Sequence, residues 1–405
     1  MPNFAPFVDR AFAALDGPAQ PLDCALIVEF APGQAPSSAA LESGAARALR
    51  RFPKSACVLR APGWVAAPKP ALRLHQHRCA DRLEADAWVA SFLDRRFVLG
   101  AELALEQALV QTPDRAWLVL RMHHALGDLI SAVNWLATQL GAATEAPVEP
   151  ALELQTSSTQ VRRSRYAFAG PAARIAVAPQ RVGPSRRAWR TLTFAKLSTP
   201  TEDKRFTYSD VLAAIALETL SRWNEERGGG LDVGLWLPVN VRARPFEGFG
   251  NGSGRIRVYR HPRSFGSFGE AAAQLREQVR WSRANGEWCI PRSANLLASV
   301  GWVASALAKR LAGRPGVDMG TAMFSHAERL AADPEAELFP RAQGLEIVAQ
   351  LYSAHPLAMN ASSHRGRTSM TFTWDASLFS QSDSEAFIGL FDQQRERAFA
   401  ELARG

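Results

Sequence analysis

The chain has 405 residues, a length for two or three domains or for one large two-lobed unit. Hydrophobic residues make up 47% and charged residues 21%, a globular composition that excludes a mainly disordered chain. The net charge of +8 favours anionic partners without choosing among them, and an arginine-rich surface with no such partner accounts for it equally well.

The opening MPNFAPFVDRAF carries Asp9 and has no apolar h-region, so it does not read as a secretory signal. ALIVEF (25–30) then reads as a strand, 41–53 as a helix ending at Pro53, and 85–97 as a second helix. Residues 103–111 and 116–122 read as two strands joined by a turn at Thr112, Pro113 and Asp114. Cys24, Cys57, Cys79 and Cys289 are scattered without CxxC spacing, which supports neither a zinc site nor a dithiol motif and fits a reducing, cytoplasmic compartment.

The most informative stretch follows, RMHHALGDLISAVNWLATQL (121–140). An apolar strand runs into His123 and His124, and Leu129, Val133, Leu136 and Leu140 then mark a helix with one buried face. The histidines therefore sit on a strand-to-helix loop, where a rigid scaffold can hold reactive groups. Histidine is the side chain best matched to proton transfer near neutral pH. Two adjacent histidines point in different directions and cannot share one role. Asp128, four residues after His124, reads as a histidine orienter, a metal ligand or an ion-pair anchor.

Other chemistries lack their patterns. His75, His77, His261, His326, His355 and His364 form no HxxxH or HExxH, so no metal is expected. No GxSxG elbow, P-loop or GxGxxG fingerprint occurs, and GFGNGSG (248–254) has the wrong spacing.

Residues 143–195 change texture, from a Pro/Ser/Thr-rich run to a strip with eight arginines and no acidic residue between 161 and 190. This reads as a crossover linker between a lobe at 1–142 and a lobe at 196–405. The strip suits docking to a membrane surface or an acidic carrier, or is a solvated connection. In the second half, 207–223 reads as a helix capped by Ser209 or Asp210. Strands are expected at 231–242, 254–261, 321–325, 345–353 and 367–375, and helices at 270–284, 293–312 and 384–403. The uncharged stretch 293–308 is shorter than the ~20 residues of a membrane span.

The loop resembles the HHxxxDG motif of the CoA-dependent acyltransferase superfamily, which takes in chloramphenicol acetyltransferases, peptide-synthetase condensation domains and wax ester synthase/diacylglycerol acyltransferases. His123, His124 and Asp128 match its two histidines and aspartate. LPVNVR and GNGSG are similar to its PVNxR and downstream GN segments, FTYSDVLAAIALETL to the first helix of its second lobe, and Ser362 to Phe387 to its closing strand and last helix. Leu129 stands where the family has glycine, which would narrow the substrate channel, reshape it for another acceptor, or mark lost activity.

The resemblance implies an α/β fold of two chloramphenicol-acetyltransferase-like lobes, a V-shaped pseudo-dimer with a tunnel between them. It implies direct acyl transfer from a CoA or phosphopantetheine-carrier thioester to a hydroxyl or amine acceptor, with His124 as general base and no permanently bound cofactor. It gives His123 a positioning role and pairs Asp128 with Arg242 from the second lobe. Leu129, Asn240, Asn251 and Ser325 become candidates to line the channel. The donor, CoA or a carrier protein, and an alcohol or amine are the expected partners, with peripheral contact at the inner membrane surface as a further expectation. No nucleic acid is expected, because the basic residues are not interleaved with stacking aromatics. The alternatives are a stand-alone condensation enzyme for carrier-bound substrates and a catalytically inactive binding protein of the same fold.

Overall fold

The computed structural model describes residues 3–4, 7–18, 20–60, 63–141, 156–157, 164–168, 170–177, 185–197, 205–242, 248–260, 266–287, 290–291, 320–327, 339, 341–352 and 355–404. The helix expected at 293–312, His261 and Cys289 lie outside these residues.

The first lobe is built on Val-, Ile- and Leu-rich strands. β2 (Asp23–Phe30) and β7 (Ala116–His123) are buried almost throughout because helices cover both faces of their sheet. With β5 (Leu74–Arg78), β6 (Leu105–Gln111) and β14 (Ala342–Val348) they form five strands in the order β14-β2-β7-β6-β5. Leu26, Val28, Leu118 and Leu120 face one core with α2 (Ser38–Arg51) and α4 (Leu129–Gln139). Ala25, Ile27, Trp117 and Val119 face the other, under α3 (Arg82–Asp94). A Cβ on Gly44 would lie 2.1 Å from the carbonyl oxygen of Gln139, so α2 and α4 approach this closely only with glycine there. Helix α1 (Phe7–Leu15) precedes the sheet, and β1 (Asn3–Phe4), β4 (Gly63–Ala66) and β3 (Cys57–Arg60) form a small sheet beside it.

The second lobe carries six strands. They are β9 (Arg187–Ala195), β10 (Gly234–Asn240), β11 (Ser253–Tyr259), β13 (Ala322–Ala327), β15 (Leu357–His364) and β16 (Arg367–Asp375), in the order β11-β10-β13-β15-β16-β9. Helices α5 (Tyr208–Glu226), α6 (Phe268–Ala284) and α7 (Gln381–Leu402) pack together over its core. Short strands β8 (Thr156–Ser157) and β12 (Ile290–Pro291) pair in parallel. The molecule is thus two α/β lobes, each a sheet with its own helices.

Three local details differ from the sequence reading. Thr207 caps α5 through a capping box, and Asp210 is the third helical residue that bonds back to the Thr207 N–H; Ser209 is already inside the helix. Arg187–Ala195, at the end of the arginine-rich crossover, forms the edge strand β9 because its backbone pairs along the whole of β16. Strand β14 comes from the second half of the chain yet pairs antiparallel with β2, stitching the halves together.

Candidate active site

Strand β7 ends at His123, held in register against Asp23 of β2. Past it, the His124 N–H donates to the Leu22 carbonyl at 2.8 Å, and the Leu126 N–H turns back to the His123 carbonyl at 2.9 Å. Asp128 then caps α4, accepting from the Ser131 N–H at 3.1 Å. Both histidines are therefore fixed by a strand before them and a capped helix after them.

His124 is buried, 8% exposed. Its ring stacks on Phe12 of α1, with centroids 3.9 Å apart and planes at 15°. Its Nδ1 lies 3.0 Å from Asn251 Oδ1. The Asn251 amide nitrogen faces three acceptors, Asp9 Oδ1 at 2.8 Å and the carbonyls of His124 at 2.8 Å and Ala125 at 3.4 Å. That fixes the amide with its oxygen toward the imidazole, so Nδ1 must be the donor. Neutral His124 then carries its proton on Nδ1 and its lone pair on Nε2. Burial lowers its pKa below the ordinary 6.5, against the opposing pull of its own backbone carbonyl, Asp128 and Asn251.

His123 has the reverse arrangement. Its Nδ1 accepts from the Ala125 N–H at 3.0 Å, which leaves the proton on Nε2. Nε2 faces Asp16 Oδ1 at 3.7 Å, a long contact rather than a hydrogen bond. Burial raises the Asp16 pKa, but His123, Arg96 and the Leu22 N–H outweigh it and bring the carboxyl to about 2.

Asp128 does not touch the imidazole of His124. Its Oδ1 accepts from Arg242 Nη2 at 2.7 Å, and its Oδ2 from Arg242 Nη1, the Gly252 N–H and Ser253 Oγ, each at 2.9 Å. Burial raises its pKa, and the Arg242 guanidinium together with the N–H donors overrides that and holds it well below the usual carboxylate range. Arg242 continues to the Gly250 carbonyl at 2.9 Å and to Asn240 Oδ1 at 3.2 Å. A Cβ on Gly252 would come within 2.7 Å of the guanidinium carbon, which explains the glycine at that point of GNGSG.

The structure thus gathers His123, His124, Asp128, Asn240, Arg242 and Asn251 around one loop. Asn240 binds Arg242, and Asn251 binds His124. Leu129 is the first residue of α4, half-buried against the first core. Arg365 is the sole non-glycine residue with positive φ among those described, so Leu129 needs no glycine-like backbone. Ser325 lies on β13 opposite Asn360 and makes no hydrogen bond to this group among the described residues. The sequence reading missed Asp9, Phe12 and Asp16; their spacing on one helix face was the signal available.

No protein-family model and no curated protein matches the sequence. Solved structures do match across the whole chain. The EpoB NRPS cyclization-docking bidomain from Sorangium cellulosum aligns over 98% of this chain and 85% of its own, with a TM-score of 0.67 at 14% identity. The starter condensation domain of rhizomide synthetase RzmA, in a mutant bound to C8-CoA and Leu-SNAC, aligns over 99% and 94%, with a TM-score of 0.67 at 14% identity. The fold is that of a condensation domain. The condensation domain from the monacolin K polyketide synthase MokA aligns over 98% and 97%, at a TM-score of 0.63 and 13% identity.

Two features of this condensation-domain fold lie apart from the histidine loop. A cleft of about 830 Å³ is lined by Arg82, Asp86, Arg187, Trp189 and Glu346, and His124 is not among its walls. Among the described residues, the ligand atoms of His77, Cys79 and Glu84, on β5, the connection after it and α3, lie within 4.8 Å of one another. No described helix is long and apolar enough to cross a membrane.

Proposed function

We propose that the chain is an acyltransferase that moves an acyl group from a CoA or carrier-protein thioester to a hydroxyl or amine acceptor, with His124 as general base. The observation that carries this reading is the tautomer of His124. With Nδ1–H donated to Asn251, the lone pair sits on Nε2, and burial keeps the ring neutral near pH 7. Nε2 takes the acceptor's proton as its oxygen or nitrogen bonds to the thioester carbonyl carbon. The tetrahedral intermediate collapses, the C–S bond breaks, and the imidazolium returns the proton to the leaving thiolate. The products are an ester or amide and a free thiol. General-base help of this kind is worth about 10²–10⁴-fold, and holding both substrates in place contributes more.

The condensation-domain fold supports a thioester donor, and the basic surface suits a phosphate-bearing one. Carrier-bound substrates, with the chain acting as a stand-alone condensation enzyme, are the second reading; solved neighbours from peptide and polyketide synthases favour it. On the proposed reading Asp128 and Arg242 hold the loop and take no part in proton transfer, and His123 positions the strand end.

The test incubates purified protein with a panel of acyl-CoAs, then with acylated carrier proteins, in the presence of mixed alcohols and amines, and follows free thiol. Thiol release that needs an acceptor and falls by about 10² or more in His124→Ala is the expected result. Silence with every donor, or equal release by the variant, overturns the assignment.

A further inference from the structure

Helix α1 plays no part in the motif, yet three of its neighbouring residues reach both histidines. Asp9, Phe12 and Asp16 are spaced three and four apart, so they share one face of the helical turn that the Asp16 N–H continues by donating to the Phe12 carbonyl at 3.0 Å. Asp9 is fully buried, 0% exposed. Its Oδ2 accepts from Lys54 Nζ at 2.7 Å and from the Trp64 indole N–H at 2.8 Å, which leaves Oδ1 aimed at the Asn251 amide nitrogen, 2.8 Å away. Phe12 lies flat on the His124 ring. Asp16 faces Nε2 of His123.

We infer that α1 is the positioning element of the site: Asp9, acting through the Asn251 amide, fixes His124 as its Nδ1–H tautomer, while Phe12 sets the ring plane. An asparagine amide can turn end for end, and the turned form would present N–H groups to Nδ1 and force the proton onto Nε2, where it blocks a base. The carboxylate of Asp9 accepts only, so together with the His124 and Ala125 carbonyls that the same nitrogen faces it rejects the turned form, whose oxygen would face them; of the three, it is the one carrying a negative charge. On His123 the Ala125 N–H at Nδ1 sets the opposite tautomer, with Asp16 facing Nε2 at 3.7 Å, which keeps the two adjacent rings from exchanging roles. Asp9 touches no substrate and acts through another residue. The catalytic consequence rests on the role proposed for His124; the tautomers themselves do not.

The measurement is the long-range ¹H–¹⁵N spectrum of the full chain labelled at histidine, with His123→Gln and His124→Gln to assign the two rings. The wild type is expected to show Nδ1–H on His124 and Nε2–H on His123. Asp9→Leu removes the acceptor and is expected to convert His124 wholly or partly to Nε2–H, with kcat for acceptor-dependent thiol release down about tenfold or more and KM little changed. Asp9→Asn keeps an acceptor oxygen and is expected to restore the Nδ1–H signal. If Asp9→Leu does not fold, Asn251→Ala, which leaves Asp9 to Lys54 and Trp64, is read for the same loss of Nδ1–H. An Nε2–H tautomer in the wild type, or an unaltered His124 signal in a folded Asp9→Leu or Asn251→Ala protein, overturns the inference. Because the spectra need no substrate, they decide it even where no donor gives activity; correct tautomers in an inactive protein would count against the proposed function alone.

Discussion

His123 and His124 are neighbours in sequence with opposite proton placements, and each placement follows from one hydrogen bond at Nδ1. A backbone N–H points at His123, and a side-chain carbonyl whose far end is locked points at His124. For a base that must be neutral, a lowered pKa widens the working range. Activity is therefore expected to be level from pH 7 upward through the neutral range and to fall only as pH drops below the ordinary imidazole value, because protonated His124 has no lone pair to offer. A profile of kcat/KM against pH checks this; an inflection above 6.5 assigned to His124 contradicts it. Asp9, Asp128 and His123 are the charged or titratable groups nearest the ring through Asn251, the loop and the adjacent backbone. Asp128 behaves differently under substitution. Its oxygens are taken by Arg242 and by N–H and O–H donors, so Asp128→Ala leaves a buried guanidinium unpaired. The expected cost is about 3–5 kcal/mol of stability, measured by denaturant unfolding, with Arg242→Ala similar.

At the scale of elements, the loop is precise because β7 is clamped between β2 and β6 and α4 is capped at its first turn. Helix α4 also leans on α2 through Gly44, and Gly44→Ala would drive a methyl group into the Gln139 carbonyl. Overpacking of this kind is expected to lower stability by about 1–3 kcal/mol and to lower the melting temperature even though the residue is far from the chemistry. Much of this was readable in the chain. Strand β7, the histidine loop and α4 follow from an apolar run, two polar residues and a helical stripe, all between Ala116 and Gln139. Arg242 and Asn251 were found through the PVNVR and GNGSG segments; Asn251 was read as a candidate to line a channel, and its grip on His124 is what the sequence did not reveal. Helix α1 was not found: the spacing of Asp9, Phe12 and Asp16 hints at one helical face, but nothing near them in sequence says that this face meets a loop more than a hundred residues away. The edge strand β9 was hidden by its arginines: Arg187 is buried only because Asp23 and the Leu93 carbonyl receive it, a tertiary effect invisible to local pattern.

Across the molecule, two buried ion pairs and one strand among the described residues bind the lobes. Arg242 from the end of β10 reaches Asp128, Arg187 of β9 reaches Asp23, and β14 pairs with β2. Asp23 is raised by burial but brought below its usual value by Arg187 and Arg121, and Asp128 is lowered by Arg242. A carboxyl whose pKa is lower in the folded than in the unfolded state stabilises the fold fully above the unfolded value near 4, and that stabilisation is lost as pH falls below it. Unfolding midpoints are therefore expected to be flat from pH 7 to 5 with respect to these groups and to drop steeply below pH 4, with a shallower drop in a chain carrying Asp23→Asn. Equal acid sensitivity in that variant would show that the pair does not join the lobes energetically.

The most direct test of the account as a whole is the balance of products in one turnover with a donor and acceptor that support thiol release. Acylated acceptor and free thiol, quantified by mass spectrometry alongside the intact mass of the protein, are expected to form one to one with no acyl group left on the chain, and neither is expected to form at a comparable rate in His124→Ala. An acyl adduct on the protein, or thiol released without acylated acceptor, would contradict direct transfer by His124.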